Sequence, residues 1–221
     1  MEFFSQFVDL FLHIDKHLAV LLAQYGPWLY AILFAIIFCE TGLVITPFLP
    51  GDSLLFVAGA LAAASAADGG NFNLAILLPL LIVAAILGDN VNYHIGRVAG
   101  QRILTWGAGS RFFNRAAYDK TCDFYAKHGG KTLVIARFMP LIRTFAPFVA
   151  GVSVMDYRRF LIFNVVGGIF WIVSLLLAGY WFGNLPWIKA NLTLVIFGII
   201  GLSLSPMLIA WLRQRLANTP V

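Results

Sequence analysis

The sequence predicts an all-α polytopic membrane protein: two opposed re-entrant helical hairpins in an inverted repeat, about three full transmembrane helices, and interfacial amphipathic helices. Three observations lead there. Of 221 residues, 61% are hydrophobic and 11% charged, whereas a soluble globular domain carries about 25% charged residues. Two apolar stretches are broken by Pro and Gly into pieces short for a bilayer, while others are long enough to cross one. The basic residues collect outside the apolar segments, which is the pattern of membrane topology.

That distribution turns the net charge of +5 away from nucleic acid and towards membrane orientation. No Ser/Pro/Gly-rich linker interrupts the chain, so one membrane domain over residues 25–221 is expected, preceded by an N-terminal segment at 1–24. Cys39 sits in an apolar run and Cys122 in a basic polar loop, so a disulfide is not expected, and neither lies in metal-ligand spacing. The first residues include Glu2 and Asp9, and the first basic residue is Lys16, unlike a signal peptide with its positive start.

Within 1–24, Phe4, Phe7, Val8, Phe11, Ile14, Leu18, Leu21 and Leu22 recur at helical spacing, with Asp9, His13, Asp15, Lys16 and His17 between them. Five such polar side chains make a spanning helix costly, so this helix is expected at the interface. Gly26-Pro27 ends it. Trp28 to Cys39 is apolar but about 18 Å long as a helix, short of the roughly 30 Å hydrocarbon core. Glu40, Pro47, Pro50, Gly51 and Asp52 follow, then a second short run from Leu54 to Ala67. Residues 28–67 therefore read as the first re-entrant hairpin. Residues 72–95 read as a span whose end carries Asp89, Asn90, Asn92 and His94, a polar helix end suited to the headgroups. The segment 97–131 holds seven Lys/Arg against Asp119 and Asp123, which places it in the cytoplasm. Its Leu104, Trp106, Phe112, Phe113, Tyr118 and Phe124 suit helices lying on the membrane, where the basic residues meet anionic lipid.

Residues 132–155 are again apolar and interrupted, here by Arg137, Pro140, Arg143 and Pro147. Lys131 precedes them and Arg158-Arg159 follows, so both ends are expected on the cytoplasmic side, as a second hairpin from the opposite face. Residues 160–183 span outward and 190–212 span back, with Arg213 and Arg215 holding the C-terminus in the cytoplasm. A short internal repeat fits this plan: Pro47-x-x-Pro50-Gly51 matches Pro147-x-x-Ala150-Gly151, and Tyr93-x-x-Gly96 matches Tyr180-x-x-Gly183.

The charges at the breaks carry the chemistry. Glu40 and Asp52 flank the first, and Arg137 and Arg143 flank Pro140 in the second. Each costs roughly 2.5–3.5 kcal/mol at a helix centre in lipid, so all four need a polar cavity or one another. Two readings stay open from the residues alone. The four can pin the hairpins together as structural ion pairs, or form a proton-coupled anion or phosphate-headgroup site, since guanidinium forks match phosphate and carboxylate. Pro47, Pro50, Gly51, Pro140, Pro147 and Gly151 shape the breaks. Asp89 and Tyr93 are secondary polar candidates, with Tyr93 read chiefly as packing. No metal or other cofactor is expected.

The segments from Phe38-Cys39-Glu40 to Pro47-x-x-Pro50-Gly51-Asp52, from Gly88-Asp89 through Asn92-Tyr93 to Gly96-Arg97, and from Ala136-Arg137 through Pro140 and Arg143 to Gly151 closely resemble the DedA family, as do His13-Ile14-Asp15 and Lys127 to Lys131. The resemblance covers nearly the whole chain. It implies a bacterial inner-membrane protein with opposed re-entrant hairpins, an arrangement shared with the lipid scramblases of autophagy. Members are associated with membrane homeostasis, proton motive force and resistance to cationic compounds, and some translocate undecaprenyl phosphate. By resemblance, the family's functional acids fall on Glu40 and Asp52 and its arginines on Arg137 and Arg143.

The expected function is transport or flipping of an anionic, phosphate-bearing lipid, with protons as possible co-substrate. Proton-driven efflux of small cations and a non-transport assembly role are the alternatives. An enzyme such as a lipid phosphatase is not expected, because His13, His17, His94 and His128 are scattered. Substrate identity, transport direction, oligomeric state and the side of the N-terminal helix are not legible.

Overall fold

A computed structural model describes residues 20, 24–43, 51–70, 72–105, 130–137, 140–191, 194–195, 198 and 201. Most of the 1–24 helix, Pro47 and Pro50, most of the basic 97–131 segment and most of the 190–212 span lie outside these residues. The described residues are all-helical, without strands: α1 (Trp28–Gly42), α2 (Gly51–Ala67), α3 (Leu74–Thr105), α4 (Lys131–Ala136), α5 (Pro140–Val152), α6 (Tyr157–Phe182) and α7 (Pro186–Ala190).

Among the described residues, two helical stretches are long and apolar enough to cross a membrane, Leu74–Gly100 and Tyr157–Phe182. At 27 and 26 residues they reach roughly 40 Å. Only 33% and 39% of their most apolar windows are buried in the protein, so most of their apolar surface needs another solvent. Ile76, Val83, Leu87, Val91, Ile95 and Val98 form one such exposed stripe on α3. By contrast, α1, α2 and α5 have 15, 17 and 13 residues, about 20–25 Å each.

The helix of α3 runs ten residues past the expected span end at 95, to Thr105. Charge at Arg97 marks where apolar surface stops, but residues 97–105 hold good helix formers and no proline, so the backbone continues. A second difference concerns Pro147. It does not interrupt the second apolar region but lies inside α5. The interruption falls between α4 and α5, and Pro140 opens α5, the helix position where a missing N–H costs least.

The described chain forms two compact units that interleave in sequence. One draws on residues 1–32, 50–78 and 172–221, the other on 33–49 and 79–171. In the first unit, α2 packs backbone-to-backbone on the C-terminal half of α6. A Cβ on Gly59 or Gly179 would strike the backbone of Leu176 or Phe56 respectively, and Asn184 Nδ2 donates to the Ala60 carbonyl at 3.0 Å. Small residues let apolar helices approach this closely, which suits association in lipid. The same unit anchors the start of α3. Asn73 Oδ1 accepts from Ala75 N at 2.8 Å as an N-cap, Asn73 N donates to Tyr30 Oη at 2.6 Å, and Tyr30 packs on Phe72 with ring centroids 5.1 Å apart.

In the second unit α3 is the spine. Gly88 lies against Thr41 and Phe38 of α1, and Gly96 against the Phe148 carbonyl of α5. Gly151 meets the Tyr93 carbonyl in turn. Its core joins Tyr93, Leu133, Ala136, Ala146, Ala150, Met155 and Phe160. Tyr93 stacks on Phe160 at 4.3 Å, donates its hydroxyl to the Met155 carbonyl and accepts from Arg97 Nη1 at 3.2 Å. The short return from α5 to α6 carries Val154 at φ 54°, an uncommon conformation for a β-branched residue.

Candidate functional site

The second unit buries four ionisable side chains in its interior. Glu40 comes from the last turn of α1, Asp89 from the middle of α3, Arg137 from the C-cap of α4 and Arg143 from the first turn of α5. Glu40 has 0% relative exposure, Asp89 4%, and each arginine 6%. Two ion pairs result. Arg143 donates through Nη2 to Glu40 Oε1, and Arg137 donates through Nη2 to Asp89 Oδ2. Two carboxylates and two guanidiniums sum to zero formal charge, which is what a buried polar cluster in a low-dielectric setting requires.

Each pair is buttressed differently. The Arg143 guanidinium carbon lies 4.8 Å from the centroid of the buried Trp171 ring, within cation–π range. Arg137 shares its Nη2 with Asn164, donating to the side-chain Oδ1 and, at 3.3 Å, to the main-chain carbonyl. Asn164 Nδ2 then donates to the Ile86 carbonyl of α3 at 3.2 Å. A third amide ties the helices around them. Asn92, fully buried, donates through Nδ2 to the Thr41 carbonyl at 3.0 Å and the Thr144 carbonyl at 2.7 Å. It thereby joins the end of α1 to α5. Glu40 Oε2 and Asn92 Oδ1 accept no hydrogen bond among the described residues.

Between these groups lies a small cavity of about 10 Å³, the room of about one water, lined by Asp89, Leu133, Arg137, Arg143, Pro147, Phe160 and Asn164. Arg137, Arg143 and Asp89 all line it, while Glu40, paired with Arg143, does not. Cationic forks lining a small enclosed space can hold an oxyanion by charge-assisted hydrogen bonds. Among the described residues, no cluster of three or more His, Cys, Asp or Glu side chains is arranged to hold a metal ion.

Of the four charges singled out in the sequence, Glu40, Arg137 and Arg143 lie together in this unit. Asp52 lies in the other unit, half-buried in the first turn of α2, where a carboxylate suits the positive end of the helix. The carboxylate on Arg137 is Asp89. Its expected place near a helix end is corrected: α3 continues to Thr105, and the Asp89 side chain is buried. The signal for this was present. Gly88, Asp89, Asn92, Tyr93 and Gly96 recur at three- and four-residue intervals, one face of a helix, and all five are buried. Asn164 was missed, although it is a lone amide in the apolar run of α6. The partnership of Trp171 with Arg143 carries no sequence signal.

Comparison with known proteins supplies the lineage of this site. The VTT domain profile matches residues 49–181. The chain is 52% identical to Protein DedA of Escherichia coli strain K12 over 217 residues, covering 98% of this chain and 97% of that one. It is 44% identical to an uncharacterized membrane protein of Mycobacterium leprae over 79% of this chain and 76% of that protein. Inner membrane protein YqjA of E. coli K12 is 38% identical over 72% of this chain and 69% of its own length. No solved structure matches the chain.

Proposed function

The chain belongs to the VTT domain family, in its DedA branch, and from that premise we propose that it transports or flips an anionic, phosphate-bearing lipid across the bacterial inner membrane. The observation that carries this reading is that two buried arginines, Arg137 and Arg143, line one cavity. Undecaprenyl phosphate is the candidate substrate by resemblance to DedA members that translocate it. The relatives named as membrane and inner membrane proteins support the location. In this proposal α1–α2 and α4–α5 are re-entrant hairpins of an inverted repeat, the chain is multi-pass, and its C-terminus and residues 97–131 are cytoplasmic. Their short helices support the hairpin reading, since none reaches roughly 30 Å. The protein acts as a carrier and not as an enzyme.

The lining of the cavity favours an anion over a cation as cargo, because it includes both arginines but only one of the two carboxylates. The test is reconstitution of purified, monodisperse protein in vesicles holding labelled undecaprenyl phosphate. Exchange of label between leaflets that is faster than in empty vesicles, and lost in Arg143→Gln, is the expected outcome. An unchanged leaflet distribution with folded wild-type protein refutes the reading.

A further inference from the structure

The resting cavity already holds an anion of the protein's own. Asp89 sits on the cavity wall with its carboxylate on Arg137, where an incoming oxyanion would bind. All of Arg137's hydrogen bonds leave from Nη2, to Asp89 and Asn164. Its Nε and Nη1 donate to no group among the described residues. The arginine itself has little freedom to retreat. Its stem runs along α6, where a Cβ on Gly167 would come within 2.9 Å of Cδ and 3.0 Å of Nε. Asn164 is held in turn by the Ile86 carbonyl. An exchange at Arg137 therefore has to move the Asp89 carboxylate and not the guanidinium.

We propose that Asp89 is a placeholder for the cargo and the proton acceptor of this site: the incoming phosphate takes over Arg137, and the displaced Asp89 picks up one proton. This rests on the anion-transport reading above. One O–H bond forms on Asp89, with the proton drawn from the aqueous phase, and no other bond changes. The reason is charge. Asp89 faces Arg137 from α4 and Asn164 from α6, with Arg143 from α5 on the same wall and Glu40 from α1 paired behind it. The four formal charges cancel, so an added anion leaves uncompensated negative charge in a buried site, where it is costly. A proton on Asp89 removes one unit of it. Glu40 is the less suited acceptor, because it does not line the cavity and its arginine is also held by Trp171.

The experiment measures binding to purified protein in detergent with two probes, undecaprenyl phosphate and inorganic phosphate, above about pH 8.5, where the second ionisation of both is largely complete. For wild type, affinity falls about tenfold per pH unit, the linkage slope for one proton. In Asp89→Asn it is nearly flat, and Asp89→Glu restores the slope. The two probes separate a whole-lipid site from a headgroup site. If wild type binds neither probe, the anion reading fails and this inference with it. If wild type binds and Asp89→Asn keeps the full slope, this inference alone fails. A measurement on the unmutated chain guards against misfolding of the variant. Adding the bound probe should produce the infrared carbonyl stretch of a protonated carboxyl group. That band should shift when aspartate carries a carbon-13 label in its side-chain carboxyl, both in wild type and in Asp52→Asn. A band indifferent to the label places the proton on a glutamate and overturns the proposal.

Discussion

Removing one member of the Glu40–Arg143 pair should cost more than removing both. Glu40 has no relative exposure and Arg143 only 6%, so either single change to Gln leaves a buried charge without its counterion. Breaking a buried pair in this way costs about 3–5 kcal/mol. Independent effects would then sum to roughly 6–10 kcal/mol. The double variant Glu40→Gln/Arg143→Gln leaves no orphaned charge, and two amides can hydrogen-bond across the gap. What it still loses is the contact of Arg143 with Trp171, worth up to about 2 kcal/mol when desolvated, and some packing. A double-variant loss of about 2–4 kcal/mol is expected, and so a coupling of at least ~2 kcal/mol. The assay is equilibrium unfolding in bicelles for wild type, both singles and the double, each first shown to be monodisperse. Additivity within about 0.5 kcal/mol would refute the reasoning, because it would mean that the two charges do not see each other in the folded protein.

Arg137→Lys keeps the charge but not the planar guanidinium fork that a two-point phosphate contact needs. Lipid transport should fall at least tenfold while the melting temperature drops by only a few degrees, and wild-type transport would show that point charge suffices. Asn164→Ala removes the acceptor on Arg137 and the link to Ile86. A loss of about 1–3 kcal/mol is expected on unfolding, together with slower transport. Gly151→Leu places a side chain against the Tyr93 backbone, and overpacking of at least about 1–3 kcal/mol should appear as lost monodisperse protein. Gly69→Ala serves as a contrast. Its Cβ meets nothing, but its φ of 69° strains an L-residue, so about 1 kcal/mol is expected with transport intact.

Helix, membrane and family were legible because each depends on properties that a linear sequence carries directly. Low charge content and apolar runs of a given length decide what solvent a segment can face, whatever its neighbours are. The need for Glu40, Arg137 and Arg143 to find shelter followed from the same arithmetic, since a charge in an apolar run has only a few affordable environments. Helix ends were less legible. The sequence marked Arg97 as leaving the apolar zone, but α3 continued, because a helix stops where its backbone hydrogen bonds stop and not where its side chains change polarity.

By itself, then, the sequence determined that this is an all-helical chain with spans and interrupted apolar segments, and that a few buried charges would have to be reconciled. Only the tertiary structure decided who reconciles them. Asp89 answers Arg137, Glu40 answers Arg143, Asn164 and Trp171 complete the two pairs, and Asp52 lies in the other unit. The physical reason is that the composition sets how much charge must be neutralised, whereas the partner is set by which helix backbones approach closely enough. That approach runs through glycines such as Gly88 and Gly96, whose contacts lie some 50 residues away in the chain.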